Sequence, residues 1–461
     1  MRTASHAGPV LAATVFFLLA GQSPAAEAPQ AKADGYLGIW FTLGQRSEHG
    51  DKYSGGLGTY TADHIPMAIY TPQANKTFFV YGGTLPGQRH LLDMISYYDH
   101  ARGVVPRPTI VHDKQGVDDP HDNPSLCIDD KGHVWVFVSG RANKRPGFKY
   151  RSAEPYSIDR FELVSSRTMA YPQPWFMPGK GFIHCFTQYT QGRELYWETS
   201  ADGRQWSETR KLAGFGGHYQ VTHGRDGRLL TAFNWHPGGN VDKRTNLYFL
   251  QTDDFGRTWK TAAGKAVRTP LAAADNEALV RDYAREQRLV YINDIQFDRD
   301  GRPVLFYITS GGYKPGPQSG PREWTVARWT GTAWEFRPVT TSDHNYDMGS
   351  LYVEDDAWRI IGPSGPGPQP WGAGGDMAAW LSRDAGATWA RVRDLTTRSE
   401  FNHSYARRPV NAHPDFYAFW ADGNPNEFSP SRLYFTSRAG DHVWRLPVTL
   451  KEDFAKPEVA W

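Results

Sequence analysis

Five polar strings and one glycine-rich run hold the residues of this chain best suited to chemistry. The strings are Asp118–Pro124, Gly216–Gln220, Asn234–Pro237 with Asp242–Asn246, Asp343–Asp347 and Asn402–Arg408, and each sets a histidine beside Asn, Asp or Tyr. The run Lys52–Tyr70 places Gly55, Gly56 and Gly58 ahead of Thr59, Tyr60, Thr61, Asp63 and His64. Imidazole titrates near neutrality, so such histidines suit general acid/base work. Arg244, Arg407 and Arg408 add guanidinium forks, which match a carboxylate. Together they point to an acidic sugar such as a uronic acid.

Two reactions compete for a uronate. In a lyase, a cation neutralises the carboxylate and acidifies the C5 proton; His or Tyr removes that proton, and a second group protonates the departing C4 oxygen. A glycoside hydrolase ordinarily uses two carboxylates at a set separation. No clear carboxylate pair stands out here, because most Asp residues fall in turns. A third reading takes the same polar groups as sugar contacts without turnover, and a fourth as buried side chains that satisfy nearby backbone.

The elements that must position these groups are short strands. Asp-Gly or Lys-Gly turns precede His133–Val138, Leu229–Phe233 and Val304–Ile308, a regularity that implies a repeat architecture. Thr252–Trp259 and Ser382–Trp389 fit the Asp-box pattern [ST]-x-D-x-G-x-T-W, and Ser200–Trp206 is one residue short of it. In such a box the Asp and Ser/Thr side chains bind the turn backbone and Trp plugs between sheets, so these acids are structural. An all-β fold follows: a β-propeller of seven blades, with six as the alternative. Residues 432–436 are expected to close the ring against residues 36–41. The Pro/Gly-rich stretches 313–317 and 362–369 are expected to be long loops.

Composition narrows the class. Aromatic residues make up 14% of the chain, with Trp 17 and Tyr 23, which suits strands and sugar contacts alike. A net charge of +2 carries no field for nucleic acid. Met1-Arg2, the apolar run 10–20 and Pro24-Ala25-Ala26 are expected to be a secretory signal over 1–26, leaving 27–461 as one exported, secreted or periplasmic domain with no membrane span. Cys127 and Cys185 are the only cysteines, enough for one disulfide in an exported protein.

The set Gly35–Trp40, Lys52–Tyr60, Asp119–Asn123, Gly217–Gln220, Asp343–Asp347 and Arg407-Arg408-Pro409 resembles the BNR-repeat-containing propeller proteins. That family includes ulvan lyases, rhamnose-α-1,4-glucuronate lyases and propeller α-L-rhamnosidases. The resemblance covers nearly the whole chain after the signal and implies seven blades and a rhamnose-glucuronate substrate. His64 looks like the rhamnosidase histidine. His121 resembles a lyase histidine, but Ser139-Gly140-Arg141 stands where the lyases tend to carry a second one. Other lyase roles then fall to Tyr171 and Tyr189, with Arg141, Arg193, His218, Arg244, His344, Arg407 and Arg408 as substrate contacts. The expectation drawn is an exo-α-L-rhamnosidase centred on His64, acting on arabinogalactan-type glycans. The alternatives are a lyase centred on His121 and a silent carbohydrate-binding propeller. An acidic plant or algal polysaccharide is the implied partner; no cofactor is required, and a calcium ion near the axis is left open.

Overall fold

The computed structural model describes residues 1, 4, 30–57, 63–117 and 119–461. Apart from Met1 and Ala4 the expected signal lies outside them, as do residues 58–62 of the glycine-rich run and Asp118 of the first polar string. Among the described residues the chain is all-β, in eight sheets, two of which are two-stranded. No helix among the described residues is long and apolar enough to cross a membrane.

The repeating unit is an antiparallel meander in which each strand pairs with the next. Pro124–Ile128, Val134–Val138, Gly147–Ser152 and Phe161–Arg167 form one such sheet. Ala170–Met177, Gly181–Tyr189, Arg193–Ser200 and Arg210–Ala213 form the next. The leading strands of successive sheets lie against one another, so their first residues gather at one end of a shared interior. This gives the fold its propeller-like character and brings the polar strings together.

The Asp boxes behave as their residue types demand. Asp254 Oδ1 accepts from Thr258 N–H at 2.8 Å, and Thr252 Oγ1 accepts from Gly256 N–H at 2.9 Å. Asp384 and Ser382 repeat this at 2.9 and 2.8 Å. In the shortened box, Ser200 Oγ accepts from Gly203 N–H at 2.8 Å. Each box joins the third and fourth strands of its meander. Trp259 is buried, edge-on to Trp197 with ring centroids 5.5 Å apart.

Two local expectations are corrected, and the pairing of the two cysteines, left open by the sequence, is seen not to occur. The strand that pairs with Gly38–Thr42 is Ser429–Ser431, in the register Gly38↔Ser431, while Leu433–Thr436 pairs elsewhere in the last sheet. Gly362–Pro366 belongs to the strand Trp358–Pro366, where alternate small residues let neighbouring backbones approach. Cys127 and Cys185 are both free thiols, buried in the sheets.

Gly256 has φ +83°, and a Cβ there would meet Trp197 Nε1 at 2.5 Å. Gly256→Ala is therefore expected to lower stability by about 1–3 kcal/mol through backbone strain and overpacking, read as a lower urea midpoint. An unchanged midpoint would mean that the turn and Trp197 relax freely.

Candidate active site

His121 sits in the 3-10 turn Pro120–Asp122, directly ahead of Pro124–Ile128. Asp119 caps that turn, accepting from His121 N–H at 3.0 Å, and its carboxylate also contacts His121 Nδ1. Arg145 locks both acids in place, reaching Asp122 at 2.7 Å and Asp119 at 2.8 Å, and Lys114 adds a 2.9 Å pair with Asp122. Both carboxylates are thus already committed to cations and to the imidazole.

Tyr171 follows one sheet later at the start of Ala170–Met177. Its φ of +52° and a register shift between Ala170 and Gln173 mark a bulge. Bulges re-aim side chains, and here the ring ends 5.8 Å from His121, 5.4 Å from His64 and 5.5 Å from Tyr219. The Tyr171 and Tyr189 hydroxyls are buried without a hydrogen-bond partner.

Arg193 opens its strand directly across from Tyr189, its guanidinium 5.7 Å from the Tyr189 ring and 5.8 Å from Tyr219. Arg244 lies deeper. Its Nη2 donates to Tyr53 Oη at 3.1 Å and its Nε to Val241 O at 2.8 Å, and its guanidinium lies 4.5 Å from Tyr291, 5.0 Å from Tyr219 and 5.4 Å from Tyr346. His236 packs edge-on to Tyr219 at 4.9 Å, with both ring nitrogens buried and unpartnered. Among the described residues no carboxylate lies within 4.0 Å of Arg193 or Arg244.

Electrostatics set the protonation states. Burial, reinforced by Arg141, Arg193 and Arg145, holds the His121 imidazole well below its usual range, so it is neutral at pH 7. Burial pushes the Tyr171 and Tyr189 phenols up, so they keep their protons. The mouth of the site is formed by half-exposed Tyr189, Arg193 and Arg141, and its floor is buried. A neutral imidazole, protonated phenols and guanidiniums without acidic partners can hold an anion and move a proton beside it.

The structure therefore joins His121, Tyr171, Tyr189, Arg141, Arg193 and Arg244, and separates the other expected residues. His218 is spent on backbone: Nδ1 meets Asn234 O at 2.8 Å, and Phe215 N–H reaches Nε2 at 3.4 Å. His344 accepts from Tyr346 N–H at 3.1 Å. Arg407 and Arg408 line a separate cavity of about 20 Å³, where Arg408 pairs with Asp294 at 3.4 Å; His64 borders that cavity too, but its Nε2 meets His121 O at 3.1 Å and so it also touches the site. Tyr219, Tyr346 and His236 lie within the polar strings and Tyr53 within the glycine-rich run without having been assigned as site residues, and Tyr291 lies outside them. His218 and Tyr219 lie just ahead of the strand Gln220–Arg225, and while the His218 imidazole is held by Asn234 O and Phe215 N–H, the Tyr219 ring reaches Tyr171 and His236.

The pattern of BNR repeat-containing family members matches residues 94–342, more than half of the chain, and the chain belongs to that family. It is 21% identical over 347 residues to an ulvan lyase of Nonlabens ulvanivorans, spanning 64% of this chain and 69% of that one. It is also 21% identical over 285 residues to an ulvan lyase of Alteromonas sp. (strain LOR), covering 53% of this chain and little more than half, 57%, of that relative. Solved structures of a PL25 ulvan lyase, alone and bound to -[GlcA(1-4)Rha3S]-, superpose with TM-scores of 0.69 and 0.66 at 15% identity. They cover 88% and 89% of this chain and 96% and 94% of the solved ones. These relatives overturn the expectation of an α-L-rhamnosidase, because the curated relatives that match and these superposing structures are lyases.

Burial holds His64 down to about 3 and His218 down to about 4, with His121 and His236 well below the usual range. The unfolded chain takes up these protons near pH 6.5 and the native chain does not, so stability falls as pH drops below 6.5. The expected loss is on the order of 1 kcal/mol per histidine by about pH 5.5, measured as the urea midpoint against its value near pH 7.5. An equal midpoint at both would show that these imidazoles protonate within the fold.

Proposed function

We propose that this chain is an exported polysaccharide lyase that cleaves a uronate- and rhamnose-containing acidic polysaccharide of the ulvan type by β-elimination. The observation that carries this reading is a pair of guanidiniums, Arg193 and Arg244, with no acidic partner among the described residues, beside a neutral His121 and the protonated phenols of Tyr171 and Tyr189. The ulvan lyase relatives, and the likeness to a fold solved with a glucuronate-rhamnose oligosaccharide, support the substrate class.

The uronate carboxylate pairs with Arg193 and the neighbouring Arg141 at the mouth. Neutralising it lowers the barrier to losing the C5 proton. Asp119 holds Nδ1 of His121, which assigns the basic lone pair to Nε2. That nitrogen takes the C5 proton, and the C5–H electron pair becomes the C4–C5 double bond. The C4–O bond breaks, and the Tyr189 phenol gives its proton to the departing oxygen. The products are a 4,5-unsaturated uronate and a free hydroxyl on the next sugar; proton exchange with solvent restores His121 and Tyr189.

The same reading takes residues 27–461 as one propeller of seven blades. It is supported by the nine-stranded sheet, in which Gly375–Ser382 and Asn402–Arg407 share the single pair Gly375↔His403, so two meanders are joined there at one point.

Incubation with ulvan should raise ultraviolet absorbance from the unsaturated product. His121→Ala and Tyr189→Phe should each cut kcat by about 10²–10⁴-fold with the thermal midpoint retained. No new absorbance from any uronate polysaccharide, or full activity in His121→Ala, would sink the assignment. Removing a cation raises the His121 pKa, so Arg141→Gln should move the acid limb of kcat/KM to higher pH. An unmoved limb would take the base role away from His121.

A further inference from the structure

A second cluster lies at the far end of the strands from the candidate active site. The segment holding His64 packs on Tyr171, and the strand Ala68–Thr71 then runs away from that end. Thr71 pairs with Lys76, and Lys76 with Asp99, so the turn that follows places His100 at the opposite face. The loop between Asn402–Arg407 and Ala418–Gly423 brings His413 and Asp415 to the same spot. This is the seam between the first and last sheets, laced by Val410 N–H to Ala68 O and Tyr70 N–H to Val410 O, both 2.9 Å.

At that seam the two imidazole rings lie 3.8 Å apart, centroid to centroid, with Tyr70 against both, at 5.3 Å from His100 and 4.8 Å from His413. His100 Nε2 is held by Thr77 Oγ1 at 2.8 Å. Its Nδ1 is buried and has no hydrogen-bond partner in the protein, and Thr77 donating to Nε2 or accepting from it decides which tautomer is present. One ligand atom each from His100, His413 and Asp415 lie within 4.8 Å of one another. Asp415 and the His413 edge are open to solvent, which provides an entry path.

We propose that His100, His413 and Asp415 form a zinc site that clamps the closing seam of the fold. Two imidazoles and one carboxylate are borderline donors suited to zinc, whereas calcium and magnesium want oxygen throughout. Zinc bonds of about 2.0–2.1 Å would draw the exposed loop inward by a small movement, with water completing the four positions. Thr77 plays the outer role of fixing the His100 tautomer, as partners of ligating histidines do. The metal would tie the turn after Leu92–Asp99 to the loop after Asn402–Arg407, adding its binding free energy to ring closure.

The full chain, stripped with a chelator and titrated with zinc chloride by calorimetry, should bind one zinc and gain several degrees in thermal midpoint. Calcium chloride should do neither. His413→Gln and Asp415→Asn, both on the exposed loop, should keep the fold and the metal-free midpoint; His413→Gln should abolish the zinc-dependent rise and Asp415→Asn should weaken it. His100→Gln tests the buried ligand in the same way. Absence of zinc binding in the unaltered chain, or a zinc that survives both His100→Gln and His413→Gln, overturns the proposal.

Discussion

Everything at the centre of this molecule depends on how a guanidinium is kept at the crowded axis without a carboxylate beside it. Arg244 is fully buried, and a bare ion there would be prohibitively costly. Its charge is met by the faces of Tyr219, Tyr291 and Tyr346 and by the hydroxyl of Tyr53. Aromatic faces and phenol oxygens stabilise a cation only in part, so the site retains a standing preference for an anion. Had an Asp or Glu been the partner, the cation would be neutralised within the protein.

The scaffold makes this arrangement affordable by settling its own polar groups locally at the rim. The acids of the Asp boxes bind their own turns, and Asp119 and Asp122 are committed to His121, Arg145 and Lys114. No carboxylate is thereby left to compete for Arg193. The bulge at Tyr171 applies the same economy to geometry: one residue in a left-handed conformation turns a ring off its sheet and into contact with His121 and Tyr219. Residues held in such sparsely populated conformations cluster at functional positions.

Much of this was legible in the chain before any coordinates. Asp boxes and Asp-Gly turns are local chemistry, written in consecutive residues, so the repeated meander and the structural role of its acids could be read directly. His121 and Arg244 also stood out, in polar strings at strand edges, whereas Arg193 entered only through the family resemblance. What could not be read was facing. His218 and Tyr219 are neighbours in one string, yet only the tyrosine reaches the site, because the imidazole is held by Asn234 O, a residue distant in sequence. His344 and Tyr346 share a face by spacing, but a turn hydrogen bond consumes the imidazole. The closing strand was misplaced by a few residues because register depends on pairing across the whole chain, which no local pattern encodes.

The choice between hydrolysis and elimination rests on charge. Hydrolysis of a glycoside calls for two carboxylates, one to give a proton and one to steady a cationic transition state or activate water. Elimination next to a uronate develops negative charge at C5 and its carboxylate, which guanidiniums stabilise and carboxylates would oppose. A site with arginines in excess, phenols that hold their protons and an imidazole kept neutral by burial and reinforced by those arginines is matched to the anionic course. His64 sits beside this set: its Nε2 meets His121 O at 3.1 Å and its ring packs on Tyr171, while it also borders the small cavity lined by Arg407 and Arg408.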